Sequence, residues 1–173
     1  MPMACRSKTN CSAAKARRGR HGSMSFEAAA MTSKEAAIAV WRALGSGDAD
    51  RIRAVLADDA EWRAPRDNAT AVALGVTHHM IGAEAIVRFI LDDYPRLFPN
   101  GMHIEPISVT AEDNRVIFEQ RQSATLANGR AYALDYVFIF EMAGSRVRRI
   151  REYMDARSGY NQIFGTATPG RIV

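Results

Sequence analysis

The stretch at 128–156, NGRAYALDYVFIFEMAGSRVRRIREYMDA, constrains the fold more than any other part of the chain. Asn128-Gly129 is a tight-turn signal, and the residues after it alternate with period two. Even positions read Tyr132, Leu134, Tyr136, Phe138, Phe140, and odd positions read Ala131, Ala133, Asp135, Val137, Ile139, Glu141. Successive side chains of a strand point to opposite faces, so this strand has one strongly aromatic face and one mixed face. Ala143-Gly144-Ser145 turns the chain back into a second strand ending in Glu152-Tyr153-Met154-Asp155. The same period extends upstream. Strands are expected at about 103–110, 115–126, 130–141 and 146–154, joined by short turns that make sequential neighbours antiparallel.

Ahead of this meander the period is helical. Thr32-Ser33-Lys34-Glu35 has the form of a capping box, and Ala36, Ala37, Val40, Trp41 and Leu44 follow at helical spacing up to Gly45. Asp48 is a suitable N-cap for a second helix carrying Ile52, Val55 and Leu56. Residues 60–64 (AEWRA) read as a short strand stopped by Pro65, and 66–80 as a loop of polar and small residues. A third helix is expected over 83–97, kinked or ended at Pro95. Residues 157–173 look less regular, with Gly165 and Pro169 pointing to a loose tail. Helices grouped ahead of an antiparallel sheet define an α+β domain with helices packed on one sheet face.

The formal charge of +4 suggests a nucleic-acid binder until it is located along the chain. Residues 1–23 contain Arg6, Lys8, Lys15, Arg17, Arg18 and Arg20 and no acidic residue, whereas residues 24–173 carry 17 basic and 19 acidic residues. The folded part is therefore slightly acidic, which argues against nucleic-acid binding through it. Cys5 and Cys11 lie in the same basic segment, so the domain itself has no cysteine and fits a reducing cytoplasm. Residues 1–30 are expected to form a disordered basic extension. Three origins stand open for it: an upstream start, a transit-like presequence, or an arm for anionic partners. No apolar run approaches the roughly 18 residues needed to span a membrane. No Gly-rich phosphate loop, nucleophile elbow, HExxH or paired CxxC occurs, so the expectation is chemistry without metal or cofactor.

Several short stretches, loose alone, form a recognisable series in this order: Gly47-Asp48; Leu56-Ala57-Asp58-Asp59-Ala60-Glu61-Trp62; Gly82-Ala83-Glu84-Ala85-Ile86; and Gly129–Asp155 ending in Arg151-Glu152-Tyr153-Met154-Asp155. Over 31–164 the chain resembles the SnoaL-like branch of the nuclear transport factor 2-like superfamily, which includes ketosteroid-isomerase-related and limonene-epoxide-hydrolase-like proteins. The resemblance implies a cone-shaped, curved antiparallel sheet wrapped around about three N-terminal helices, with residues 165–173 left as a tail. It also implies one open-ended pocket for a small hydrophobic molecule, and a homodimer. A covered outer sheet face would explain Val137 and Ile139.

Parity nominates the pocket residues. The aromatic even face makes Tyr132, Tyr136 and Phe138 concave, while the strand at 115–126 is undecided between Ile117, Glu119, Arg121, Ser123 and the set Val116, Phe118, Gln120, Gln122. The resemblance to epoxide-hydrolase-like members favours the odd set, since their pocket arginine falls on Arg121. It also places Ile150, Glu152 and Met154 inside, and Trp62 and Ala64 share one parity on the first strand. The ketosteroid-isomerase base falls on Ala64 and its helix tyrosine on Val40, while its second oxyanion donor falls on Tyr136. The Asp-Arg-Asp relay of epoxide hydrolases reads here as Ser123, Arg121 and Glu152.

The expected constellation has Glu152 as base or water-positioner, Arg121 as its orienter and Tyr136 as hydroxyl or oxyanion donor. Trp62, Glu119, Tyr132, Ser123, Phe138 and Met154 would contact the ligand. Two readings stand side by side. Glu119, Arg121 and Glu152 converge on a cavity and do acid/base chemistry of isomerase, cyclase or epoxide-hydrolase type, or they neutralise one another in a non-catalytic binding or dimerisation module. Tyr132, Tyr136, Phe138 and Phe140 also read as ordinary core. His78-His79 reads as loop polarity, because adjacent histidines diverge and make a poor chelate. Arg146, Arg148, Arg149 and Arg151 read as a solvated face.

Overall fold

The computed structural model describes residues 31–165. The expectations for residues 1–30 and for the tail beyond Gly165 lie outside the described residues. Helix α1 (Ser33–Leu44) opens with the expected capping box. The Thr32 N–H donates to Glu35 Oε2 at 2.9 Å, and the Glu35 N–H donates to Thr32 Oγ1 at 3.3 Å. Its apolar stripe, Ala36, Ala37, Val40 and Leu44, is buried. Helix α2 (Ala49–Val55) starts at Asp48, whose carboxylate accepts from the Asp50 and Arg51 N–H groups. It ends one residue sooner than the sequence suggested, because Leu56 is already in strand β1 (Leu56–Arg63).

The loop expected at 66–80 contains two elements. Asn68 caps helix α3 (Ala69–Leu74) by accepting from the Ala71 N–H at 3.0 Å, and Gly75 ends it in the left-handed region at φ 68°. Strand β2 (His79–Ile81) then pairs antiparallel with β1, Trp62 opposite Met80. Alanine-rich helices of six residues lack a readable apolar stripe, which is why the sequence hid this one. The expected third helix is a composite: α4 (Ala83–Arg88), a π-helical turn (Phe89–Asp93) and α5 (Tyr94–Leu97). Pro95 cannot donate a backbone hydrogen bond, and the widened turn before it lets the helical run continue.

Strands β3 (His103–Glu112), β4 (Arg115–Thr125), β5 (Ala131–Ala143) and β6 (Arg146–Met154) form the antiparallel meander. One six-stranded sheet results, in the order β2-β1-β6-β5-β4-β3. The strand from the N-terminal half enters beside the last one, and β1 runs parallel to β6 with Trp62 opposite Ile150. The domain is thus α+β, with helices on one face of a curved sheet. The core lies between them and is built from Val40, Ile52, Ile86, Phe98, Phe140 and Ile150 among others.

The segment after Met154 is not a loose tail up to Gly165. Asp155 accepts from the Ser158 N–H at 3.0 Å and caps helix α6 (Ala156–Phe164). Gln162 completes an exposed strand edge: its Nε2 donates to the Ala133 carbonyl at 3.0 Å, and its Oε1 accepts from the Ala133 N–H at 2.7 Å. Gly159 lets α6 approach closely, since a Cβ there would sit 3.3 Å from Leu134 Cδ1. Tertiary packing, not local periodicity, decides this helix.

Candidate functional site

A cavity of about 620 Å³ opens between the concave sheet face and the helices. That volume falls within the range of small-molecule sites. Trp62 and Ala64 reach it from β1 and the residue beyond it, Tyr136 and Phe138 from β5, and Glu152 from β6. Phe89, Tyr94 and Phe98 close it from the α4–α5 run, and Trp41 from α1.

The register explains how a carboxylate came to lie among these rings. Trp62 pairs with Ile150 across the parallel β1–β6 ladder, and Glu152 lies two residues further along on the same face. The Trp62 indole N–H therefore meets Glu152 Oε2, at 2.8 Å. Phe138 pairs with Glu152 across β5–β6. Glu152 touches cavity space but is surrounded by protein atoms, and this desolvation lifts its pKa from 4.5 to about 7. The Trp62 hydrogen bond works in the opposite direction and is the weaker influence. The second carboxylate oxygen, Oε1, has no hydrogen-bond partner among the described residues and faces the cavity.

The phenols of Tyr132 and Tyr136 lie 2.6 Å apart, either one donating to the other. Tyr136 lines the cavity and stacks on Phe138 with ring centroids 5.5 Å apart; Tyr132 stands behind it. Burial raises the pKa values of Tyr94, Tyr132 and Tyr136, and the Glu152 charge pushes the same way. All three phenols therefore stay protonated at neutral pH and are available as neutral hydroxyls.

Four expected residues, Glu152, Tyr136, Trp62 and Phe138, are brought together. Met154 is half-buried opposite Tyr136 and packs on the core beside the cavity. Three expected residues fall elsewhere. On β4 the even set is buried and the odd set points outward, the reverse of the assignment taken from the resemblance. Arg121 pairs on the outer face with Asp135 at 3.0 Å, Glu119 accepts there from the Ser108 hydroxyl at 3.0 Å, and Ser123 lies half-buried opposite Ala133. Periodicity leaves the two sets undecided, because the even one carries two glutamines. Both are buried, and Gln122 lines the cavity. No arginine therefore reaches Glu152, and the charge partner expected to keep it ionised is missing among the described residues.

Sequence reasoning passed over Gln122, Asn68 and Phe89 as site residues and assigned His78 to loop polarity, yet all four border the cavity. The signal for Gln122 was its parity with Phe118. The signal for His78 was its loop, which could border the pocket mouth, and Asn68 gave none, because it caps a helix the sequence did not disclose. Among the described residues, no group of three His, Cys, Asp or Glu is placed to hold a metal ion.

The SnoaL-like domain model matches residues 37–150. The chain belongs to the SnoaL-like family. No curated protein matches it significantly. Solved structures share the fold at low identity. A nuclear transport factor 2-like protein of unknown function from Burkholderia pseudomallei superposes with a TM-score of 0.67 at 20% identity, covering 78% of this chain and 99% of that one. A putative isomerase from Rhodopseudomonas palustris gives 0.63 at 15% identity, covering 75% and 93%. An LEH-like epoxide hydrolase from M. tuberculosis gives 0.57 at 18% identity, covering 76% and 88%. At such identities the SnoaL-like chain shares the architecture with these proteins, and its chemistry has to be argued from its own cavity.

Proposed function

We propose that this SnoaL-like protein is an acid/base enzyme, working without a cofactor on a small hydrophobic molecule, with Glu152 as the proton-transferring group. The observation that carries this reading is a carboxylate in an aromatic cavity, one oxygen fixed by Trp62, the other free, and a pKa near 7. A group titrating near the working pH is present in both protonation states and can take a proton and return it. Glu152 Oε1 would remove a proton from carbon next to a carbonyl, or from a water attacking an epoxide. Tyr136 would donate its hydroxyl to the oxygen where negative charge develops. On the sheet these two residues are diagonal neighbours on one face, so both can reach a single bound ligand. Gln122 adds an amide that can orient a second polar atom. Arg121 has no part in this scheme. A cysteine-free domain suits a cytoplasmic setting.

Fold relatives described as a putative isomerase and an epoxide hydrolase make both reaction types worth assaying. The test is a thermal-shift screen of terpenoid, steroid and polyketide-like ketones and epoxides, followed by turnover of the binders. Glu152→Gln is expected to lower kcat by at least about 100-fold and Tyr136→Phe by less. Undiminished turnover in Glu152→Gln sinks the reading.

A second reading, a dimerisation or binding module, is favoured by the outer sheet face. Ile117 pairs with Ile139 and Val137 with Tyr153, forming an apolar strip on which Tyr153 is 50% exposed. A homodimer through this strip is the expected assembly, and a monomeric mass by light scattering at micromolar concentration would refute it.

A further inference from the structure

The cavity has an uneven charge balance. Glu152 lines it, and among the described residues no lysine or arginine does. Among the described residues the carboxylate accepts one hydrogen bond, from Trp62, and Oε1 accepts none. Aromatic rings line the same cavity and pack on one another: Trp62 and Phe89 with centroids 6.1 Å apart, Phe89 and Tyr94 at 5.7 Å, Trp62 and Phe138 at 6.2 Å, Tyr136 and Phe138 at 5.5 Å. Ring faces attract cations and a carboxylate neutralises them, so a box of both kinds is complementary to a desolvated ammonium. An anionic ligand would meet like charge, with no lysine or arginine among the described cavity residues to receive it.

We propose that the ligand of this cavity is a hydrophobic amine, bound as its ammonium with an N–H directed at Glu152 Oε1 and its carbon skeleton against the aromatic walls. The inference rests on the reading of Glu152 as the working group of the site and gives that reading a substrate class. Transfer of the N–H proton to Oε1 turns ammonium and carboxylate into free amine and carboxylic acid, so the residue that recognises the nitrogen also exposes its lone pair. The other ionisable groups facing Glu152 or the cavity are Tyr94 on α5, Tyr132 and Tyr136 on β5, and His78 before β2. The phenols stay neutral across the range used below, and the Glu152→Gln variant separates any contribution of His78.

The test uses three ligands with one skeleton, 1-adamantylamine, 1-adamantanol and 1-adamantanecarboxylate, titrated calorimetrically into the full chain at pH 6, 7 and 8. The amine is expected to bind at least tenfold more tightly than the alcohol at pH 8, with the carboxylate weakest. Since Glu152 titrates near pH 7, its ionised fraction rises about tenfold from pH 6 to pH 8, and the preference for amine should rise in step. In Glu152→Gln the preference should vanish while the alcohol still binds, which also shows that the variant is folded. Equal binding of amine and alcohol at pH 8, a preference that survives in Glu152→Gln, or no binding by any of the three overturns the proposal. Alcohol binding without an amine advantage leaves the acid/base reading standing, because that reading falls only on the turnover of Glu152→Gln.

Discussion

Two glutamates on neighbouring strands of one sheet have opposite fates. Glu61 on β1 points to the outer face, where His79 Nε2 lies 3.2 Å away and Arg149 Nη2 3.6 Å away. The His79 hydrogen bond, with help from Arg149, holds its carboxyl below the usual range. Glu152 on β6 points to the inner face, has only an indole N–H for a partner among the described residues, and is pushed up to about 7. The covalent chemistry is identical. Strand parity decides whether the carboxylate meets arginine and water or aromatic rings. The outer-face glutamate is held in ion pairs, and the inner-face one is left among rings at a cavity wall.

The largest expected effect tests the inner face as packing. Phe138 contacts the rings of Trp41, Trp62 and Tyr136 and is buried. Phe138→Ala should cost about 3–5 kcal/mol, read as a shift of the urea midpoint. Its neighbour Val137 faces outward and is half-buried, and Val137→Ala should cost about 1 kcal/mol or less in the isolated monomer. Similar losses at both positions would end the contrast between the faces.

The second effect is a pH dependence with a definite sign. Glu152 has a higher pKa folded than unfolded, so between about pH 4.5 and 7 the native state holds more protons. Its contribution to stability is therefore fully present below pH 4.5, falls as pH rises, and is lost above about 7. At one pKa unit per 1.36 kcal/mol the loss is at most about 3 kcal/mol. Glu152→Gln should flatten this part of the stability–pH curve and make the protein more stable than wild type at pH 8. A variant less stable than wild type at pH 8 would mean that Glu152 gains more from its surroundings when charged than burial costs it.

The indole tunes that balance. Trp62→Phe keeps an aromatic ring and removes the one hydrogen bond that Glu152 accepts among the described residues, so the carboxyl pKa should rise further, by about one unit. A carbon-13 NMR titration of the Glu152 carboxyl reads the shift directly. A downward move would show that water replaces the indole as donor.

How much of this the sequence disclosed follows the same division. The long strands were legible because period two persists over 13 residues in β5, and β5 fixed Tyr136 and Phe138 as concave. Glu152 followed from the family resemblance, and the sheet places it at the cavity. Arg121 failed because β4 carries polar residues on both faces, and burial of Gln120 and Gln122 is a property of the assembled sheet that no alternation reveals. Helices α3 and α6 were invisible for a related reason. They are short, and they are held by caps at Asn68 and Asp155 and by Gln162 against the edge of β5. The parallel β1–β6 pairing, which brings Trp62 to Glu152, joins residues far apart in the chain and has no local signal.

The smallest effect separates the outer face of a monomer from that of an assembly. Glu141 accepts from Arg149 at 3.1 Å and from Arg151 at 2.7 Å, and Arg149 also reaches Glu61. These groups are partly exposed, so on a solvated face Glu141→Gln should cost about 1 kcal/mol or less, and 0.5 M salt should shrink even that. If a second copy covers the strip of Ile117, Ile139, Val137 and Tyr153, the same ion pairs lose solvent and salt screening. The cost of Glu141→Gln then rises above about 2 kcal/mol, resists salt, and grows with protein concentration as dissociation is suppressed. Chemical denaturation at two concentrations and two salt levels distinguishes the cases. Under the second outcome the outer glutamates would be buried as deeply as Glu152, and the difference between the faces would be one of partners alone: arginines outside, aromatic rings and an open cavity within.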